Sequence, residues 1–143
     1  MKKKLAQNKL VVKKSPTHGY GVFARKSMRK GEIIEECYII LTKGKDKALE
    51  DYYFDAKGKD ALLTGFGIIY NHSDDDNADY KINVTRRLAT FIALKPIKKG
   101  EEIFISYGEE WFSSRGMRKA KHQQKVTAKK KKKVTAKKRK SKR

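Results

Sequence analysis

The chain has 143 residues and a formal net charge of +21, from 37 Lys and Arg against 16 Asp and Glu. The charge is lopsided: every acid lies at or before Glu110, residues 113–143 carry 16 basic groups and no acid, and residues 1–112 carry a net of only +5. That length holds one domain of modest core plus an appendage, and no apolar run approaches the ~20 residues that span a bilayer, which excludes a helical membrane protein.

Residues 1–8 read as a flexible basic start. Lysines at 2–4 are followed by Gln7, Asn8 and Lys9 rather than by an apolar stretch, so no classical signal peptide is expected. Leu10–Val12 is a short β-prone run closed by Ser15-Pro16 and the glycines at 19 and 21, and Val22–Ala24 forms a second. Lys30-Gly31-Glu32 marks a turn before Ile33–Leu41, the strongest strand candidate and rich in branched residues. It contains Cys37, the single cysteine of the chain. One thiol makes neither an internal disulfide nor a cysteine-based zinc cluster, fits a reducing compartment, and reads best as a small buried hydrophobe.

The segment 46–56 is the helix candidate, with Asp46 as cap and Leu49, Tyr52 and Tyr53 spaced for one face. Phe66–Tyr70 is short and apolar, Tyr80–Val84 alternates, and Leu88–Leu94 is apolar and β-prone. A turn from Lys95-Pro96 to Lys99-Gly100 precedes the alternating strand Glu102–Tyr107. Short strands, frequent glycine turns and little helix predict a mainly β domain. No βαβ repeat is visible, which argues against a Rossmann-type enzyme. After Gly116 the composition changes, and Val126-Thr127-Ala128-Lys129-Lys130 recurs as Val134-Thr135-Ala136-Lys137-Lys138. Such a segment cannot offset its ordering entropy, so the expected division is a flexible 1–8, a domain over 9–116, and a disordered Lys/Arg-rich tail over 117–143. So dense a cation reads as a nucleic-acid-binding arm or an import signal.

Three motifs carry chemistry. Gly19-Tyr20-Gly21-Val22-Phe23 lets backbone approach a ligand, although by itself it reads as an ordinary turn and matches neither a dinucleotide nor a P-loop fingerprint. Asn71-His72-Ser73 presents an amide and an imidazole after an apolar run; such a pair is more often a satisfied turn. The acids at 74–76 lack calcium-loop spacing and read as a solvated loop, so no metal is expected. Gly100-Glu101-Glu102-Ile103-Phe104-Ile105-Ser106-Tyr107-Gly108 delivers Tyr107 to the end of a strand, commonly a structural position.

In this order and spacing, the three motifs resemble the SET-domain protein-lysine methyltransferases. Ser15-Pro16, Val22-Phe23-Ala24-Arg25-Lys26-Ser27, Glu35-Glu36-Cys37 and Ala48-Leu49-Glu50-Asp51-Tyr52 look most like the minimal SET proteins of large algal (chlorella-type) DNA viruses and compact bacterial-like ones. The resemblance covers roughly 9–115; Ser73 stands where many relatives have Cys, and the basic tail is not part of the pattern. It implies small curved β-sheets, a C-terminal pseudoknot and one or two short helices. It also implies S-adenosylmethionine as cofactor, cradled by Gly19, Tyr20, Gly21 and Val22 and contacted by Asn71, His72 and Tyr107. Tyr107 is the catalytic residue so implied, and Tyr20, Tyr52, Ile105, Trp111 and Phe112 are candidates for a substrate-lysine channel. Tyr80 and Ile105 are candidates for setting the number of methyl groups added.

The expected partners are a histone or histone-like basic protein as substrate and DNA through residues 117–143, with no membrane; a homodimer through an edge strand or the stretch near Ile68 is also open. The expected location is chromatin in a eukaryotic host, otherwise the cytoplasm or nucleoid. The competing reading is a non-catalytic DNA-binding protein on a SET scaffold, and the tail lysines are themselves potential methylation targets.

Overall fold

The computed structural model describes residues 9–108. The chain divides into two units, Met1–Ser106 and Tyr107–Arg143; of the second, only Tyr107 and Gly108 are described.

The first unit is built of short strands: β1 (Leu10–Lys14), β2 (Tyr20–Ala24), β3 (Ile33–Thr42), β4 (Phe54–Ala56), β5 (Lys59–Leu63), β6 (Asn71–His72), β7 (Ala78–Asn83), β8 (Leu88–Ala93) and β9 (Glu102–Ile105). They form two sheets, ordered β1-β2-β9-β6 and β4-β5-β3-β8-β7. All pairings are antiparallel except that between β6 and β9. The mainly β fold read from the turn signals is the one observed, as small curved sheets.

The core follows the alternation along each strand. In β3, Ile34, Cys37 and Ile39 are buried while Glu36, Tyr38 and Ile40 face outward, with a register shift between Ile33 and Glu35 absorbing the change of phase. Val22, Phe91, Ile103 and Ile105 complete a core in which each such side chain contributes roughly 1.5–3 kcal/mol by leaving water. Tyr70 stacks on Phe91 with ring centroids 4.5 Å apart, and Phe54 meets Tyr80 edge-on at 5.1 Å.

Segment 46–56 departs from the sequence expectation. Asp46 does cap, its Oδ1 accepting from Ala48 N at 2.8 Å, but the helix is a six-residue 3-10 turn, Lys47–Tyr52, with no buried residue. Leu49 and Tyr52 stay exposed, so the apolar spacing has no surface to cover. The remaining residues pair instead: β4 and β5 form a hairpin turned by Lys57 and Gly58, both with positive φ. Phe66–Tyr70 adopts turns, and β9 ends at Ile105 rather than Tyr107. The expected pseudoknot and the tail fall on the segment beyond Gly108, outside the described residues.

Candidate active site

β9 is the inner strand that joins the three motifs. On one side it pairs with β2, Val22 opposite Ile103 and Phe23 opposite Glu102. On the other it runs parallel to β6, with Asn71 opposite Phe104 and His72 opposite Ile105. Residues 33 to 81 positions apart in sequence thus become partners on neighbouring strands.

The junction is held by buried polar groups. Asn71 Nδ2 donates to the carbonyls of His18 and Tyr20, each at 3.0 Å, and to Glu102 Oε1 at 2.8 Å. All three neighbours are acceptors, so the orientation of the amide is dictated by chemistry. Its Oδ1 accepts no hydrogen bond among the described residues. Glu102, itself buried, accepts at Oε2 from Ser15 Oγ at 2.9 Å. That hydroxyl in turn accepts from Thr17 N and His18 N, and Ser15 N closes the loop onto Gly19 O at 2.7 Å. A carboxylate taken out of water is costly unless bonded, and here the same bonds fix the 15–21 loop to the Asn-His strand.

Both glycines of the first motif are required, for different reasons. Gly19 has φ of +47°, a conformation that side chains disfavour. Gly21 has no room for one: a Cβ there would lie 2.0 Å from Glu102 Oε1 and 3.0 Å from Asn71 Nδ2. Backbone therefore lies directly over the buried carboxylate.

His72 is buried and its Nε2 lies 3.2 Å from Asp74 Oδ1, which assigns Nε2 as the protonated nitrogen. Asn77 braces the other side of the site. Its Nδ2 donates to Glu102 O at 2.9 Å and its Oδ1 accepts from Phe104 N at 2.8 Å, so one side chain continues the pairing of β9. Asn71 is delivered by Tyr70, whose hydroxyl donates to Glu35 Oε1 on β3 at 2.7 Å. Burial first, and the Glu35 carboxylate second, push the Tyr70 phenol above its ordinary range. The same two causes push the Cys37 thiol up to about 12, so it behaves as an inert small side chain.

Gly19, Tyr20, Gly21, Val22, Asn71, His72 and Ile105 therefore come together around β9. Val22 and Ile105 point into the core, so only their backbone is available, whereas Tyr20 is 66% exposed. Tyr52 lies exposed on the 3-10 turn that leads into β4, and Tyr80 is half-buried on β7. Tyr107 opens the second unit, and Trp111 and Phe112 lie outside the described residues. Among the described residues, no group of three or more His, Cys, Asp or Glu is placed to hold a metal. Asp74 is engaged by His72, and Asp75 accepts from Lys95 Nζ at 3.0 Å. Glu102, Asn77, Ser15 and the Glu35–Tyr70 pair carried no role in the sequence reading.

A family model for the SET domain matches residues 19–108. The chain belongs to the SET-domain family. No curated protein matches it, but solved structures do. A Plasmodium falciparum protein described as a candidate histone methyltransferase is 37% identical, with a TM-score of 0.63 over 73% of this chain and 97% of that one. The Chaetomium thermophilum polycomb repressive complex 2, solved with H3K27me3 and H3K27M, matches at 26% identity and a TM-score of 0.58. The same complex, autoinhibited and bound to S-adenosylmethionine, matches at 27% and 0.57. Each match covers 71% of this SET chain but only 14% and 15% of the respective polycomb chains.

Proposed function

We propose that this SET domain is a protein-lysine N-methyltransferase that uses S-adenosylmethionine and acts on a histone or histone-like tail. The observation that carries the reading is the Asn71 amide. Its nitrogen is consumed by His18, Tyr20 and Glu102, which leaves an acceptor oxygen beside a buried carboxylate, under a loop whose backbone can approach a ligand. Such a set favours a cationic donor, and the α-ammonium of S-adenosylmethionine is one. The polycomb structure bound to that cofactor and the histone-directed names of the neighbours support the same reading.

In this reading the backbone of Gly19–Val22 and the side chains of Asn71 and His72 hold the cofactor. When bound, it supplies an electrophilic methyl on a sulfonium. The substrate must present a neutral amine, whereas free lysine titrates near ~10.4. Desolvation among aromatic side chains disfavours the ammonium form, and we assign the hydroxyl that aligns the amine to Tyr107. Tyr107 would hold the amine lone pair toward that methyl, and the proton the amine sheds would leave to solvent. Catalysis then rests on positioning and electrostatics.

The test is transfer of radiolabelled methyl to core histones, to a bacterial histone-like protein and to the enzyme alone. Tyr107→Phe should lower transfer by on the order of 10² to 10³, as loss of one aligned donor does elsewhere. Cofactor binding without transfer to any of these would defeat the enzymatic reading. It would favour the second one, a DNA-binding protein, for which the 16 unopposed cations of residues 113–143 are the support. The composition of that tail supports a further part of the proposal, that it contacts DNA and that the protein works on chromatin or a nucleoid.

A further inference from the structure

The cations of the folded domain are placed as unevenly as those of the whole chain. From Lys9 to Gly31 the sequence holds seven Lys and Arg and no acid, and Lys95, Lys98 and Lys99 follow later. The fold sets these segments side by side. Met28 N donates to Ile97 O at 2.7 Å and Ile97 N to Met28 O at 2.9 Å, while Lys99 N donates to Ser27 Oγ at 3.3 Å and Gly100 N to Ala24 O at 2.8 Å. Buried Met28 and Ile97 anchor the two turns from beneath, and Arg25, Lys26, Arg29, Lys30, Lys98 and Lys99 are all exposed above them. Two acids border the patch. Glu32 is engaged by Lys9 at 3.0 Å, and Glu101 is exposed after Gly100. Most other acids of the domain lie at 46–60 and 74–79.

The bonds between the two turns hold their cations close together, with Arg29 also in the field of Glu32. We propose that these paired turns are a docking surface for the phosphodiester backbone of duplex DNA, separate from the tail. A basic protein substrate would be repelled from this face, whereas a polyanion gains by releasing its counterions there. The exposed positions from Arg25 to Gly31 and from Lys98 to Gly100 are all charged or small. Exposed apolar side chains flank the turns only singly, at Ile33 and Leu94, and do not form the apolar face that seats a protein in a bilayer interface. Clustered positive charge is what this surface offers, so its contacts are to phosphate, which carries no sequence information. The inference holds whether or not the domain transfers methyl groups.

The experiment uses the full chain and a fluorescent 20-base-pair duplex of arbitrary sequence, titrated between 50 and 200 mM salt. Each phosphate contact contributes about 0.9 to the slope of log affinity against log salt, so R25A/K26A/K98A/K99A should flatten that slope by about 3 to 4. The affinity lost across the salt range then shrinks by about a hundredfold relative to the unmodified protein. An unchanged slope in a folded variant overturns the proposal, since the tail would then supply all the contacts. Acetylation of surface lysines in the unmodified protein removes any dependence on the variant's folding. Lys26, Lys98 and Lys99 should be protected several-fold by DNA, with Lys57 and Lys59 of the β4–β5 hairpin unaffected. Protection by phosphatidylserine vesicles but not by DNA would overturn it in favour of a membrane surface.

Discussion

Gly21 and Glu102 share a few ångströms of interior, and each makes the other necessary. Gly21→Ala would place a methyl group 2.0 Å from Glu102 Oε1, and the carboxylate cannot yield without releasing Asn71 and Ser15. Overpacking of this kind costs about 1–3 kcal/mol. The larger effect should fall on ligand binding, because the displaced groups orient Asn71; calorimetry with S-adenosylmethionine should show affinity lowered by more than tenfold. Glu102→Gln is the subtler change. It keeps the shape, removes the charge, and turns amide hydrogens toward either Asn71 or Ser15. Since a hydrogen bond to a charged group is worth about 1.5–3 kcal/mol, cofactor affinity should fall by about tenfold or more, with the near-ultraviolet dichroism of the fold retained. Equal cofactor affinity in the variant would show that the carboxylate only fills space.

At the scale of elements, β9 is where the fold and the site coincide. β2 covers one edge, and β6 covers part of the other. Beyond β6 the pairing is completed by Asn77, whose amide bonds Glu102 O and Phe104 N as a strand backbone would. Asn77→Ala leaves two buried backbone groups without partners, a loss of about 1–3 kcal/mol for each that water does not reach. Asn77→Asp should be nearly as harmful despite its shape, because one carboxylate oxygen must face the Glu102 carbonyl. Urea unfolding would measure both, and an Asp variant as stable as the parent would contradict this geometry. None of this was legible in the sequence, where Asn77 sits among acids in a segment that reads as a solvated loop. The same limit explains 46–56. Helical spacing at Leu49, Tyr52 and Tyr53 was legible, but the absence of any surface to receive that face was not, and Phe54 found Tyr80 across the second sheet instead.

For the molecule as a whole, turn chemistry and alternation made the β architecture legible, and the order of three weak motifs pointed to the family. What the sequence could not show is how the interior stores ionisable groups. Cys37, Tyr70 and Glu35 lie together behind the Asn-His strand, and burial together with Glu35 raises the first two above their ordinary ranges, Cys37 to about 12 against 9.0. Tyr80 is raised as well, chiefly by burial. A group whose native pKa is raised stabilises the fold fully below its unfolded pKa, and loses that contribution as pH climbs to the native one. The folded domain should therefore be insensitive to these groups at neutral pH and weaken progressively between pH 9 and 12. Below pH 9 the unfolded thiol is protonated too, so nothing is lost. Between the two values the unfolded chain releases a proton that the native chain keeps, worth about 1.4 kcal/mol per pH unit for each such group. Cys37→Ala removes one of them. Its stability should start lower, because a buried side chain has been trimmed, but fall less steeply with pH, by about that amount per unit over the window. Parallel lines for the two proteins in urea unfolding at pH 9, 10 and 11 would mean that the thiol reaches water in the native state. Native Cys37 would then react with iodoacetamide, where the buried thiol described here should resist it until the domain unfolds.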